Sequence, residues 1–164
     1  MLVGNSPDPS PSRERILKGI VSAAMAKTDA REQLRRVPLF KGLSNDELQQ
    51  LSQLVKEQSY KAGAPIVEEG QTGLGLYVIR SGRASVKKQG RILNHIGPND
   101  FFGEIAVLGG GPRTASVIAD EDTVCYTLAS WEIKPLLNRN ASLTYKMLVE
   151  VVQRLRDDSG PPTN

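Results

Sequence analysis

Between residues 60 and 126 the pattern of apolar residues is mainly β-type rather than helical. They come in short runs: Pro65-Ile66-Val67, Leu76-Tyr77-Val78-Ile79, Ala84-Ser85-Val86, Ile92-Leu93, Ser116-Val117-Ile118 and Val124-Cys125-Tyr126. Gly63, Gly70, Gly73, Gly75, Gly82, Gly90 and Gly97 fall between or beside them. Short β-type runs bounded by glycine read as strands joined by tight turns. Many of them in succession predict a sandwich or jelly roll.

On both sides of this region the period becomes helical. Apolar residues recur at roughly helical spacing over 13–36 (Ile16, Leu17, Ile20, Val21, Ala24, Leu34), with a weak middle, which predicts one or two helices. Ser44-Asn45-Asp46-Glu47 has the Ser-x-x-Glu form of a capping box, and Leu48, Leu51, Leu54 and Val55 mark one face of a helix running to about Glu57. The helical period returns at Trp131, with Pro135 suited to a helix start, and continues through Leu143, Met147, Leu148, Val151, Val152 and Leu155. The expected organisation is a disordered leader at 1–12, N-terminal helices at 13–57, a β-region at 58–130, C-terminal helices at 131–158 and a tail at 159–164. Residues 1–12 are rich in Ser and Pro with little to bury. Met25 is an alternative start, with the preceding residues then an upstream extension.

Composition narrows the function classes. The 164 residues, 39% apolar and 24% charged, suit one soluble domain with a proper core. Lys and Arg number 21 against 18 acids, and no basic run is interleaved with aromatics, so direct nucleic-acid binding is not expected. No stretch approaches the ~18 apolar residues of a membrane span, and the first residues lack the form of a signal peptide. Cys125 stands alone, which excludes an intrachain disulfide and suits a reducing, cytoplasmic setting. His95 is the only histidine, without a nucleophile or clustered acids in the sequence, so neither a bound metal, a cofactor nor an enzymatic role is expected. Cys125 is read as a small buried hydrophobe, and Trp131 as packing on the β-region.

One interval departs from alternation. Residues 102–117 read Phe-Gly-Glu-Ile-Ala-Val-Leu-Gly-Gly-Gly-Pro-Arg-Thr-Ala-Ser-Val and pack glycines, one acid and one arginine into a β-rich stretch. A glycine before a short apolar run can open a brief helix whose free amides, here those of Ile105 and Ala106, face an anion. Arg113 adds a permanent charge and a planar fork of donors suited to a phosphodiester. Glu104 would be repelled by that anion if it faced it, so beside it the carboxylate suits a neutral hydroxyl such as a ribose 2′-OH. The other reading of Glu104 and Arg113 is an internal ion pair over a turn.

This interval resembles the phosphate-binding cassette of the cyclic-nucleotide-binding family, Phe-Gly-Glu-(Leu/Ile)-Ala, a short spacer, then Pro-Arg-(Ala/Thr/Ser)-Ala-(Thr/Ser)-Val, in order and length. The likeness extends over 34–155 through Val37-Pro38-Leu39-Phe40, Gly42-Leu43, Glu69-Gly70, Gly82 and Ile96-Gly97-Pro98. It implies a mainly β fold with flanking helices: a double-stranded β-helix (jelly roll) with an N-terminal helical bundle and a C-terminal lid helix. It implies that Gly103 lets the ribose approach, Glu104 binds the 2′-OH, Ile105 and Ala106 donate amides to phosphate, Arg113 pairs with an exocyclic oxygen, and Thr114 and Ala115 complete the ligand contacts beside phosphate and base. Thr114 suits cyclic AMP ahead of cyclic GMP on the pattern of bacterial members.

Two departures bear on affinity. Val107 is smaller than the family's usual leucine. Gly109-Gly110-Gly111 makes the spacer pliable, and ordering it costs about 1 kcal/mol or more per residue. From the last helix, Tyr145, Leu148 and Val152 either close over the base, as the family's terminal helix does, or serve as core or dimer-seam residues. The function expected is a regulatory sensor that binds a cyclic nucleotide and moves its flanking helices. It would act through an effector protein or by self-association as a homodimer. The alternative is a degenerate β-roll that serves only as a protein-interaction module.

Overall fold

The computed structural model describes residues 12–158. The expected tail at 159–164 and the leader at 1–12, apart from Ser12, lie outside the described residues. Ser12 belongs to the first helix: its hydroxyl caps α1, Arg13–Arg36, by accepting from the Arg15 amide. The stretch 13–36 is thus one continuous helix. Its middle, Ala23-Ala24-Met25-Ala26-Lys27, is weak in amphipathic pattern but strong in helix propensity, which carries the helix across the gap. Only Ala30 and Leu34 of α1 are buried.

A 3-10 turn at Pro38–Phe40 buries Leu39 and Phe40, and α2, Asn45–Leu54, begins with the full capping box of Ser44 and Glu47. The helix stops before the expected Glu57. Val55 is extended, and Lys56–Tyr60 form strand β1, paired antiparallel with residues 123–127. β1 reads Lys-Glu-Gln-Ser-Tyr and shows water most of its length, so it carries no apolar alternation; long-range pairing decides its conformation.

The remaining strands are β2 (Pro65–Val67), β3 (Gly75–Ser81), β4 (Ala84–Lys88), β5 (Arg91–Ile96), β6 (Phe101–Phe102), β7 (Ser116–Ala119) and β8 (Thr123–Ala129). They form two antiparallel sheets of order β1-β8-β3-β6 and β2-β7-β4-β5. Because strand side chains alternate, the first sheet serves two cores at once. Ile79 of β3 and Cys125 of β8 point between the sheets, where they meet Ile66, Phe102, Val117 and Ala119. Leu76 and Val78 of β3 and Tyr126 and Leu128 of β8 point the other way, against the helices. There they pack with Leu34, Phe40, Leu51, Ile133, Leu143 and Met147. A strand covered on both faces reads as a continuous apolar run, which is why Leu76-Tyr77-Val78-Ile79 does not alternate.

The chain closes with α4 (Ser130–Arg139) and α5 (Ala141–Asp158). Pro135 and Trp131 are placed otherwise than their sequence context predicts. Pro135 sits inside α4 rather than at its start. Trp131 is 64% exposed and does not pack on the sheets, because α4 buries the stripe of Ser130, Ile133, Leu136 and Leu137. No helix among the described residues is long and apolar enough to cross a membrane.

Candidate ligand-binding site

The site begins where β6 ends. Gly103 takes a left-handed conformation (φ +93°) and turns the chain from β6 into the short helix α3, Glu104–Gly109. A side chain here would be strained, and a Cβ would stand 2.5 Å from the Gly75 carbonyl oxygen. Val107 N–H donates to the Gly103 carbonyl, so the Ile105 and Ala106 amides precede the helical ladder and lie at the mouth of the turn. Gly110 and Gly111, both at positive φ, reverse the chain after α3 and deliver Pro112 and Arg113.

The backbone of Arg113 is fixed before its side chain is considered. Its amide donates to the Gln71 carbonyl (2.7 Å), its carbonyl accepts from Gly70 N–H (2.8 Å), and Thr72 bridges to Pro112. The guanidinium lies over Tyr77 (5.4 Å to the ring centroid), and Nη2 donates to the Gly75 carbonyl at 3.0 Å. Arg113 is 8% exposed, and its buried Nη1 has no hydrogen-bond partner among the described residues. Burial holds its pKa below the ordinary arginine value, against the pull of Tyr77 and Glu104. A cationic donor kept dry and unpaired is a strong requirement for an anion.

Glu104 is 1% exposed. It does not pair with Arg113 across the turn, as the ion-pair reading had it; its ion-pair partner is Arg154 of α5, whose Nη1 lies 2.9 Å from Oε1 and 3.1 Å from Oε2. Burial raises the Glu104 pKa above the ordinary glutamate value, and the Arg154 charge opposes that rise. Arg154 is itself anchored on β6: Nη2 donates to the Phe101 carbonyl at 2.7 Å, and the guanidinium stacks 4.5 Å from the Phe101 ring centroid.

These groups open on one cavity of about 630 Å³, within the usual size of a small-molecule site. Gly103, Glu104, Ile105, Ala106, Arg113, Thr114 and Ala115 all line it, so the structure brings together all seven residues expected from the cassette. Val67, Val86, Ile96 and Val117 give an apolar wall. The cassette thus sets a buried arginine and free helix-start amides beside an apolar patch, and the rest of the lining is mixed, with Lys88, Asn94, Asp100 and residues of α5.

The expected lid residues are placed differently. Tyr145, Leu148 and Val152 are exposed and do not line the cavity; α5 faces it with Glu150, Gln153, Arg154 and Asp157. The two sets are separate stripes of one helix, and docking of α5 on β6 through Arg154 decides which turns inward. Sequence reasoning gives no sign of Arg154, because a charged stripe on a terminal helix reads as a solvated face. Outside the cavity, His95 Nδ1 lies 3.1 Å from Ser85 Oγ and 3.4 Å from Asp120 Oδ2, at the edge of the second sheet. Among the described residues no group of three or more His, Cys, Asp or Glu is placed to hold a metal.

Residues 57–140 match the family model described as Cyclic nucleotide-binding domain. The chain is 31% identical over 125 residues to a cGMP-dependent protein kinase of Toxoplasma gondii, covering 76% of this chain and 13% of that protein. It is 31% identical over 125 residues to the Cyclic AMP receptor protein of Thermus thermophilus, covering 73% of this chain and 58% of the relative. The solved structure of the Thermus thermophilus Catabolite Activator Protein superposes with a TM-score of 0.68 at 31% identity, covering 74% of this chain and 60% of that one. The chain therefore spans less than two thirds of the length of each of these relatives.

Proposed function

The chain belongs to the cyclic nucleotide-binding domain family, and on that premise we propose that it is a sensor whose cavity takes a cyclic nucleoside monophosphate, cyclic AMP ahead of cyclic GMP. Arg113 Nη1 pairs with an exocyclic oxygen of the phosphate, and the Ile105 and Ala106 amides donate to the same group. Glu104 accepts from the ribose 2′-OH, Gly103 leaves room for the sugar, and Thr114 and Ala115 stand beside phosphate and base. The apolar wall of Val67, Val86, Ile96 and Val117 receives the base.

One observation carries this reading: Arg113 lines the same cavity as Glu104 while its buried Nη1 has no hydrogen-bond partner among the described residues. Glu104 is ion-paired with Arg154 and not with Arg113, so an internal pair with Glu104 does not take up the Arg113 fork. Similarity to relatives named for cyclic AMP and for cyclic GMP supports the ligand class. The output is a shift of α5, which forms one side of the cavity, read by an effector protein or by self-association through exposed apolar residues such as Leu17 and Val21 of α1 and Leu148 of α5.

Calorimetric titration with cyclic AMP and cyclic GMP, on the protein and on Arg113→Ala, tests the proposal. Saturable binding that weakens in the variant by about 2–5 kcal/mol, as for unpairing a buried charge, is expected. No heat and no thermal shift with either nucleotide would leave a β-roll that works as an interaction module.

A further inference from the structure

We infer that the N-terminal part of α1 is a peripheral attachment site for an anionic lipid surface. The helix takes no part in lining the cavity, so this function is independent of what the cavity binds. Residues 13–29 are exposed throughout, and burial of α1 begins at Ala30. The hydrogen bonds that tie α1 to other elements come from its far end. Among the described residues they run from Arg31 to Gln49, from Gln33 to the Ile79 and Arg80 carbonyls, and from Arg35 to Asn45. The first part of the helix therefore projects as an arm. Helices gain most of their stability by packing an amphipathic face, and this arm has such a face free. Ile16, Leu17, Ile20, Val21 and Met25 are 47–65% exposed and, at about 3.6 residues per turn, fall on one half of the helix together with Ala24.

Charge decides what covers that face. Residues 13–28 carry Arg13, Arg15, Lys18 and Lys27 against Glu14 alone, a net +3, which equals the formal charge of the whole chain. The rest of the protein is balanced, so its entire excess of positive charge stands on the arm; Asp29 lies at its foot, beside buried Ala30. By helical spacing Arg15, Lys18 and Ser22 fall on the half away from the apolar face. Arg13 and Lys27 stand at the two ends of the stripe, where their long stems can follow an apolar boundary while the charged heads reach polar groups. A second copy of the arm would set +3 against +3, with only Glu14 on each side to offset it, and a face covering half the helix is broader than the seam between two paired helices. An anionic bilayer answers both features, being flat and apolar beneath a surface that attracts bases. A helix lying in that interface does not need the long apolar run of a spanning one, which no helix among the described residues has. With the arm assigned to lipid, self-association is left to the exposed residues of α5.

The experiment is co-sedimentation of the full chain with vesicles of phosphatidylcholine containing phosphatidylserine and with vesicles of phosphatidylcholine alone. The unmodified protein should bind the first at low salt, with affinity falling as salt rises, and bind the second far more weakly. Leu17→Gln combined with Val21→Gln keeps the charge and a good helix former at both positions, and should abolish binding. Arg15→Gln combined with Lys18→Gln should weaken it about 25-fold, at about fivefold per base removed. All four positions are exposed, so each variant should keep the thermal stability of the unmodified protein. Absence of binding to the phosphatidylserine vesicles would overturn the inference, and so would binding that either pair of substitutions leaves unchanged. A dimer found by sedimentation equilibrium without lipid, and split by Leu17→Gln with Val21→Gln, would overturn it as well, because a second copy would then cover the stripe.

Discussion

Gly103 and Arg113 are packed so closely that a Cβ on Gly103 would stand 2.6 Å from Arg113 Nη1, the nitrogen without a hydrogen-bond partner among the described residues. The same Cβ would meet the Gly75 carbonyl at 2.5 Å, and backbone cannot swing aside as a side chain can. Positive φ adds its own strain of about 1–2 kcal/mol for any other residue. Gly103→Ala is therefore expected to lose about 2 kcal/mol or more of stability and to displace the arginine fork, abolishing ligand binding. Gly109→Ala, with open space around the added methyl, should stay within about 0.5 kcal/mol. Urea denaturation of both variants, alongside titration, checks the contrast.

A second expectation concerns the start of α2. Ser44 Oγ accepts from Glu47 N–H (3.2 Å), and the Glu47 carboxylate accepts from Ser44 N–H (2.7 Å). The same carboxylate accepts from the side-chain amide of Asn140, whose oxygen in turn caps α5 by accepting from Leu143 N–H (2.9 Å). Ser44→Ala should cost about 1 kcal/mol, the usual value of a cap. Glu47→Ala should cost more, because buried Asn140 loses a partner as well. Chemical denaturation gives the order: equal losses would mean that the link from α2 to α5 adds nothing.

Acid should expose a third relationship. Ser85 Oγ donates to both Asp120 oxygens, at 2.6 and 2.8 Å, and this bond first, then His95, holds the Asp120 carboxyl below its ordinary 3.8. A carboxylate with a depressed folded pKa adds stability that is present above the unfolded value and is lost as pH falls through the folded one. Ser85→Ala should accordingly be less stable than the unmodified protein near neutrality, with the gap narrowing below pH 3.8. Thermal unfolding at a series of pH values measures it, and a gap that widens in acid would contradict the assignment.

Cys125, between the two sheets, should be chemically silent. It is wholly buried, and burial pushes its thiol up to about 12, so little thiolate exists at ordinary pH. Mass spectrometry should find no alkylation of the native protein by iodoacetamide at pH 8, and complete alkylation in denaturant. Modification of the folded protein at a comparable rate would mean that the sheets open readily there.

The architecture was legible where local chemistry and burial agree. Glycines at turns, apolar triplets and the Ser44–Glu47 box place most of the strands and α2 at once. β1 was not legible, because an exposed polar strand has no pattern of its own and exists through its pairing with β8. Trp131 shows the same limit: an aromatic residue at a helix start invites burial, yet the inward stripe of α4 is set by Ile133, Leu136 and Leu137.

By itself the sequence determined the cassette: Gly103 to turn the chain, Glu104 and Arg113 at their spacing, and the amides of a short helix between them, since contacts within one continuous turn follow from local geometry. Only the tertiary structure decided what that turn faces. It pairs Glu104 with Arg154 of α5 rather than with Arg113, leaves Nη1 of Arg113 without a partner among the described residues, and turns Arg154 inward instead of Tyr145, Leu148 or Val152. Which stripe of a terminal helix turns inward depends on the surface it docks against, and that surface, β6 and the cassette, lies about fifty residues earlier in the chain.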